Sequence, residues 1–265
     1  MKQVLFILSI FISLHCSAQF RTVDSVLYRF NYAMKYTADE GCKMFDDEMV
    51  VDIGKNKVHN YGYWDVRNSF LIDSIQSHNG DIADYFAMGT PVALYHAQIL
   101  KNYPSKGLLT YTLDKGKSFI YDEPIAKKNW TLEEGDSIIL GYVCKKASCT
   151  FRHRSWKVWY ALDLPFSEGP WKLDGLPGMI LKAEDTKGQY LFECIGIKEH
   201  VNQPMQMQLS KLIRITPVRL ERLIKLASKD YPAYLKAVGE TKIINPYKGT
   251  PKTACLLEYY EPNKK

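Results

Sequence analysis

The chain has 265 residues, 46% of them hydrophobic, with 35 Lys and Arg against 29 Asp and Glu for a formal net charge of +6. That length suffices for one sizeable core or two small ones. The lysines are scattered, and no short segment combines dense Lys and Arg with interleaved aromatic residues, which excludes a nucleic-acid-binding face.

Residues 1–18, MKQVLFILSIFISLHCSA, carry Lys2, an apolar run from Val4 to Leu14, and small residues before Gln19. This is the layout of a secretory signal peptide, with an apolar run too short to span a bilayer. Residues 19–265 are then the exported chain, a single β-rich domain. A lipid anchor on Cys16 is the rival reading, and His15 stands where that motif wants a small residue. No later stretch approaches the roughly 18 apolar residues of a membrane helix, so the mature chain has no membrane span. Five cysteines follow the leader. Export makes disulfides the default, and an odd number leaves at least one thiol over.

Residues 26–36, rich in aromatic and branched side chains, predict a first strand. Residues 48–53 and 57–63 flank the turn Gly54, Lys55, Asn56 and predict a hairpin. Val66, Phe70, Ile72 and Ile75 recur near helical spacing and predict a helix over 65–78, stopped by Asn79 and Gly80. Turn clusters divide 93–100, 108–113 and 117–121 into a three-stranded meander. Further strands are predicted over 136–145, 147–153, 155–162, 179–184 and 190–197. In the third of these Trp156, Val158 and Tyr160 share one parity and Trp159 the other, which predicts a sheet covered on both faces. Thr216 and Pro217 form a cap and first turn for a helix through residue 229, with Leu220, Leu223, Ile224 and Ala227 in one stripe. The tail docks Leu256 and Leu257 before fraying. The fold class expected is mainly β (α+β): a large curved antiparallel sheet, in the extreme a half-open barrel, with two or three helices.

The segment GPWKLDGLPGMIL, Gly169 to Leu181, sets three glycines and two prolines around the charges Lys172 and Asp174. Leu176, Pro177, Gly178 and Met179 fit a type II turn with the positive φ on Gly178. Gly175, Pro177 and Gly178 are thus structural turn residues, and turn chemistry favours a packed sheet corner over a ligand loop at Trp171. The glycines are not a phosphate loop: no Lys and Ser or Thr follow them, and a strand follows instead of a helix.

In CKKASCTFRHRSW, Cys144, Cys149 and His153 have a spacing a transition metal can use. Disulfide use is the stronger reading, with Cys144, Cys149 and Cys194 as candidates; bridging Cys144 to Cys149 requires the residues between them to turn. A thiol nucleophile with His153 is the enzymatic version of the same residues. Arg152 and Arg154 share a parity and could hold a carboxylate or phosphate, against the bland reading as solvated cations. No serine sits in a nucleophile elbow, no acidic run has calcium-loop spacing, and no cofactor is implied.

Taken together, Asn129 and Trp130, residues 141–160, and LPFSEGPWKLDGLPGMIL from Leu164 resemble the GLPGLI family of exported Bacteroidota proteins. Gly175, Leu176, Pro177, Gly178, Met179 and Ile180 occupy the six signature places, with Met179 replacing leucine. Weaker support comes from the hairpin near Gly54 and from Asn245 to Tyr247. Where the family reads Phe, Arg, Gly, Arg, this chain has Phe151, Arg152, His153, Arg154. The resemblance implies an envelope role beside outer-membrane uptake systems and carries no established reaction. The function expected is therefore a non-catalytic envelope binding or interaction protein for an apolar or peptide-like ligand, at Arg152, Arg154, Trp156, Trp159 and Trp171. An outer-membrane or periplasmic protein is the expected partner. The alternatives are a thiol- or metal-dependent enzyme at Cys144, Cys149 and His153, or a structural subunit of an envelope complex.

Overall fold

The computed structural model describes residues 20–208, 212–239 and 252–260. The expected leader over residues 1–18, residues 245–247 and the last five residues lie outside them. The strands are β1 (Phe20–Tyr36), β2 (Phe45–Gly54), β3 (Val58–Gly62), β4 (Ala97–Lys101), β5 (Leu108–Asp114), β6 (Ser118–Pro124), β7 (Thr131–Ile139), β8 (Tyr142–Phe151), β9 (Arg154–Ala161), β10 (Met179–Asp185), β11 (Tyr190–Gln208) and β12 (Ile213–Arg214). The helices are α1 (Tyr63–Ser77), α2 (Ile82–Ala87), α3 (Pro217–Lys229) and α4 (Tyr231–Ala237).

All twelve strands join one sheet in the order β12-β6-β5-β4-β3-β2-β1-β11-β10-β9-β8-β7, antiparallel except for β12 against β6. On β1 the alternation leaves Phe30, Tyr32, Met34 and Tyr36 buried, and the same inner face continues through Val51, Ile99, Tyr111, Trp156 and Phe192. Curvature follows from one contact. β6 and β9 are eight strand spacings apart, about 38 Å in a flat sheet. Yet Arg152, in the turn leading into β9, meets Glu123 of β6 at 2.9 Å. The sheet is thus curled into an open barrel whose two flanks approach through side chains without closing a ladder.

The mainly β class and the large curved antiparallel sheet are as the sequence predicts, with four helices in place of two or three. The predicted strand 136–145 is two strands. Leu140 and Gly141, at φ 51° and 84°, make a two-residue hairpin inside it. Arg152 and His153 form another, at φ 50° and 60°. His153 thus adopts the left-handed conformation, which favours glycine. The helix at 217–229 starts where expected, with Thr216 Oγ1 accepting the Arg219 N–H at 3.3 Å. None of these helices is long and apolar enough to cross a membrane.

Candidate functional site

The signature segment between β9 and β10 turns inward and fills the barrel. Trp171 and Leu173 are fully buried, and Leu176 nearly so. The Trp171 ring lies 5.6 Å from Trp156 and 5.7 Å from Phe151. The segment also satisfies its own backbone: Gly175 N–H donates to Ser167 O, Met179 N–H to Leu164 O, and Ile180 N–H to Glu168 O. A packed corner is the reading the sequence favours, with one correction. Positive φ belongs to Gly175, at 93°, and not to Gly178. Gly178 is needed for closeness: a Cβ there would stand 2.1 Å from the Ala161 carbonyl oxygen.

The two charges of the segment are buried too, and each is neutralised by residues distant in the chain. Asp174 accepts from Lys128 Nζ at 2.5 Å and from Lys101 Nζ at 2.7 Å, and Lys101 also reaches Glu168 at 2.6 Å. Burial works against ionised Asp174, but the two ammonium groups outweigh it and hold its carboxyl below the usual range. Burial, aided by Lys101, lowers Lys128, against the pull of Asp174. Lys172 Nζ donates to Glu123 at 2.6 Å and Glu258 at 2.5 Å, and to the hydroxyls of Tyr121 and Tyr260 at 3.0 Å each. The rings of Tyr111 and Tyr121 lie 5.0 and 5.3 Å from the same nitrogen, a cation–π cage. With the Arg152–Glu123 and Arg154–Asp185 pairs, five cations face five carboxylates in this network.

Beside the Lys172 cage, toward one end of the barrel, lies a cavity of about 500 Å³. Its walls include Tyr36, Tyr95, Tyr111, Tyr121, Tyr190 and Tyr260, with residues of α3 and of 255–260 forming another side. Some of these tyrosines are spoken for: Tyr36 donates to Leu94 O and Tyr190 to Cys255 O. Tyr95 and Tyr111 are 8% and 9% exposed, and their hydroxyls bond to nothing among the described residues. Asp39 Oδ1 and Glu258 Oε2, also on residues of this wall, accept no hydrogen bond among the described residues. Those two carboxylate oxygens are shielded from the cavity, so what the wall presents is the Tyr95 and Tyr111 hydroxyls on an aromatic surface, which can take a ligand with an apolar body and polar edges.

None of Arg152, Arg154, Trp156, Trp159 or Trp171 lines this cavity. Arg152 stacks 4.2 Å above the Tyr260 ring and so backs a wall residue. Arg154 is 2% exposed, pairs with Asp185 and donates through Nε to Leu256 O at 3.0 Å, anchoring the C-terminal segment. Trp156 is core, and Trp159 sits half-buried on the outer face with Lys182 Nζ 5.1 Å from its ring. The signal missed was tyrosine itself. The chain has 18 against 11 Phe and 5 Trp. Phenols at inward strand positions place polar tips inside the barrel.

The disulfide expectation is corrected: Cys144, Cys149 and Cys194 are free thiols. β8 runs straight from Cys144 to Cys149 in unbroken register with β9, a span of about 16 Å where a bridge allows about 7 Å. β9 and β10 separate β8 from Cys194 on β11. Burial pushes Cys144 and Cys149 up to about 11 and Cys194 up to about 12. His153 stands exposed in the hairpin turn beyond the strand that carries both β8 thiols, so the three residues do not converge.

No family model matches the chain, and neither does any curated protein. Among solved structures it is similar to PNGF-II in two crystal forms. In the P21 form the TM-score is 0.48 at 17% identity, and in the C2 form 0.45 at 16%. Each match covers 76% of this chain and 33% of the other, so the chain spans about a third of that protein's length.

Proposed function

We propose that this chain is a non-catalytic binding protein of the cell envelope that holds an apolar-bodied, peptide-like ligand in the tyrosine-lined cavity. One observation carries the reading: a cavity of about 500 Å³ whose wall holds the hydroxyls of Tyr95 and Tyr111, unbonded among the described residues. Phenol hydroxyls donate to carbonyls and accept from N–H groups, and ring faces take apolar surface. The volume is in the range that encloses a small ligand. Export by the leader and the GLPGLI resemblance belong to the same reading, with an outer-membrane or periplasmic protein as partner. Thiol catalysis is the poorer account, because thiols held near 11 are protonated at neutral pH and weakly nucleophilic.

The test is native mass spectrometry of the protein taken from its own envelope, beside a Leu220→Trp variant that fills the cavity from α3. The reading expects a bound mass on the unaltered chain that the variant loses. Bare protein in both preparations, or an adduct that survives the substitution, overturns it.

A further inference from the structure

A second cavity, of about 570 Å³, lies between α1 and strands β1, β2, β3 and β11. α1 is an unusual cover. It carries Trp64, Val66, Phe70, Leu71, Ile72 and Ile75, yet Asn68 alone is buried among its residues. The other side of the cavity is polar and tightly built. Arg29 grips Asp52 through two bonds of 2.7 and 2.8 Å, and Tyr61 donates to Asp52 Oδ2 at 3.0 Å. His59, 2% exposed, meets Gln98 Oε1 through Nε2 at 3.1 Å, which makes Nε2 the donor and leaves the Nδ1 lone pair open. Burial lowers His59 to about 4, so the imidazole is neutral and adds no charge. A polar floor of this kind is costly on a sheet face and gains nothing from the helix above it.

Charge decides the occupant. Arg29 and Arg67 line the cavity against one carboxylate, Asp52. Asp52 is consumed by Arg29, whereas Arg67 has no carboxylate partner among the described residues and rests over the Tyr63 and Trp64 rings at 5.9 and 5.2 Å. The surplus is one positive charge. Val66, Phe70 and Leu71 of the same helix, with Pro204, offer apolar wall. We infer that the space under α1 is a second ligand site, for a small amphipathic carboxylic acid whose head group meets Arg67 and whose apolar body lies along Val66, Phe70 and Leu71.

Three probes with one body and different heads test this: octanoate, octylamine and octanol, titrated against the full chain and followed by the imidazole resonances of His59 and by calorimetry. Octanoate is expected to shift the His59 signals saturably, octylamine not at all. Arg67→Ala, at an exposed position, is expected to weaken octanoate roughly tenfold, the usual worth of a hydrogen bond to a charged group. Leu220→Trp, which fills the first cavity, should leave octanoate binding unchanged, so the two sites fail or stand separately. Equal binding of all three probes, octanoate binding without a change at His59, or full affinity in Arg67→Ala would each overturn the assignment.

Discussion

Replacing Asp174 with Asn removes one charge and almost no volume, and so isolates what the buried network contributes. In the native protein the carboxylate divides its oxygens between Lys128 and Lys101, at 2.5 and 2.7 Å. Lys101 keeps Glu168; Lys128 has no other carboxylate bonded to it among the described residues. The substituted amide would offer one weaker acceptor and turn an N–H donor toward an ammonium group. Leaving a buried charge uncompensated costs about 3–5 kcal/mol. At about 2–4 °C per kcal/mol for a domain of this size, Tm should fall by roughly 6–20 °C. The pH dependence is more diagnostic. The folded pKa of Lys128 already lies below its unfolded value. Without Asp174 it drops further, so the unfolded state binds more protons at alkaline pH and stability rises with pH there. The deficit of the variant should therefore narrow as pH approaches the ordinary lysine range near about 10.4. Adding Lys128→Met should restore much of the loss at neutral pH. Urea melts across pH measure all three. A deficit under about 1 kcal/mol, or one that neither pH nor the second substitution reduces, refutes the reasoning.

In the unaltered protein the depressed Asp174 pKa gives the opposite window: its stabilising contribution is present above the unfolded carboxyl value of about 3.9 and is lost as pH falls through the folded one, visible as a steepening acid limb that Asp174→Asn lacks. Gly178→Ala should cost more than Gly175→Ala. The first sets a Cβ 2.1 Å from a backbone oxygen, while the second meets its nearest atom at 3.7 Å and loses about 1–3 kcal/mol to its positive φ. A reversed order in chemical denaturation would mean that the signature loop approaches β9 less closely than this geometry requires. Under native conditions at pH 8 a thiol reagent should label Cys42, which is partly exposed, before Cys144, Cys149 and Cys194, which burial keeps protonated. Equal labelling rates, followed by peptide mapping, would contradict this. Ending the chain at residue 251 removes Glu258 and Tyr260 from Lys172 and the Leu256 carbonyl from Arg154. That variant should melt at lower urea and bind a hydrophobic dye that the full chain excludes.

Local patterns made most of the sheet legible. Alternation on β1 and β9, the Gly54 hairpin and the Thr216 cap are each set within a few residues, and these elements stand where the sequence puts them. The hairpin at Leu140 escaped because leucine is not a turn residue, and only the neighbouring Gly141 marks the reversal. Arg152 and Arg154 share a parity on a continuous strand, but a turn separates them. One backs Tyr260 and the other ties down residue 256. The tyrosine cavity was illegible for a different reason: Tyr36, Tyr95, Tyr111, Tyr190 and Tyr260 come from separate stretches, and only the curl of the sheet gathers them.

The signature segment shows the limit most sharply. Turn chemistry reads locally as a packed corner but says nothing of how Lys172 and Asp174 enter it, because Lys and Asp are seldom buried without a partner. Here the partners are Lys101, Glu123, Lys128 and Glu258, all far along the chain. Glycine explains the burial. Gly178 lets the segment press against the Ala161 carbonyl, and Gly175 reverses it under Trp130, whose Nε1 donates to the Asp174 carbonyl at 3.0 Å. Once the segment is inside, its charges are tolerable only if β4, β6, the β6–β7 connection and the C-terminal segment supply the opposite sign. The motif and the distant charges must therefore change together. A chain sharing this signature but carrying an uncharged residue in place of Asp174 should also have lost at least one of the two lysines that Asp174 neutralises. If sequences keep both lysines without the aspartate and still fold stably, the signature segment is not held inside by charge balance.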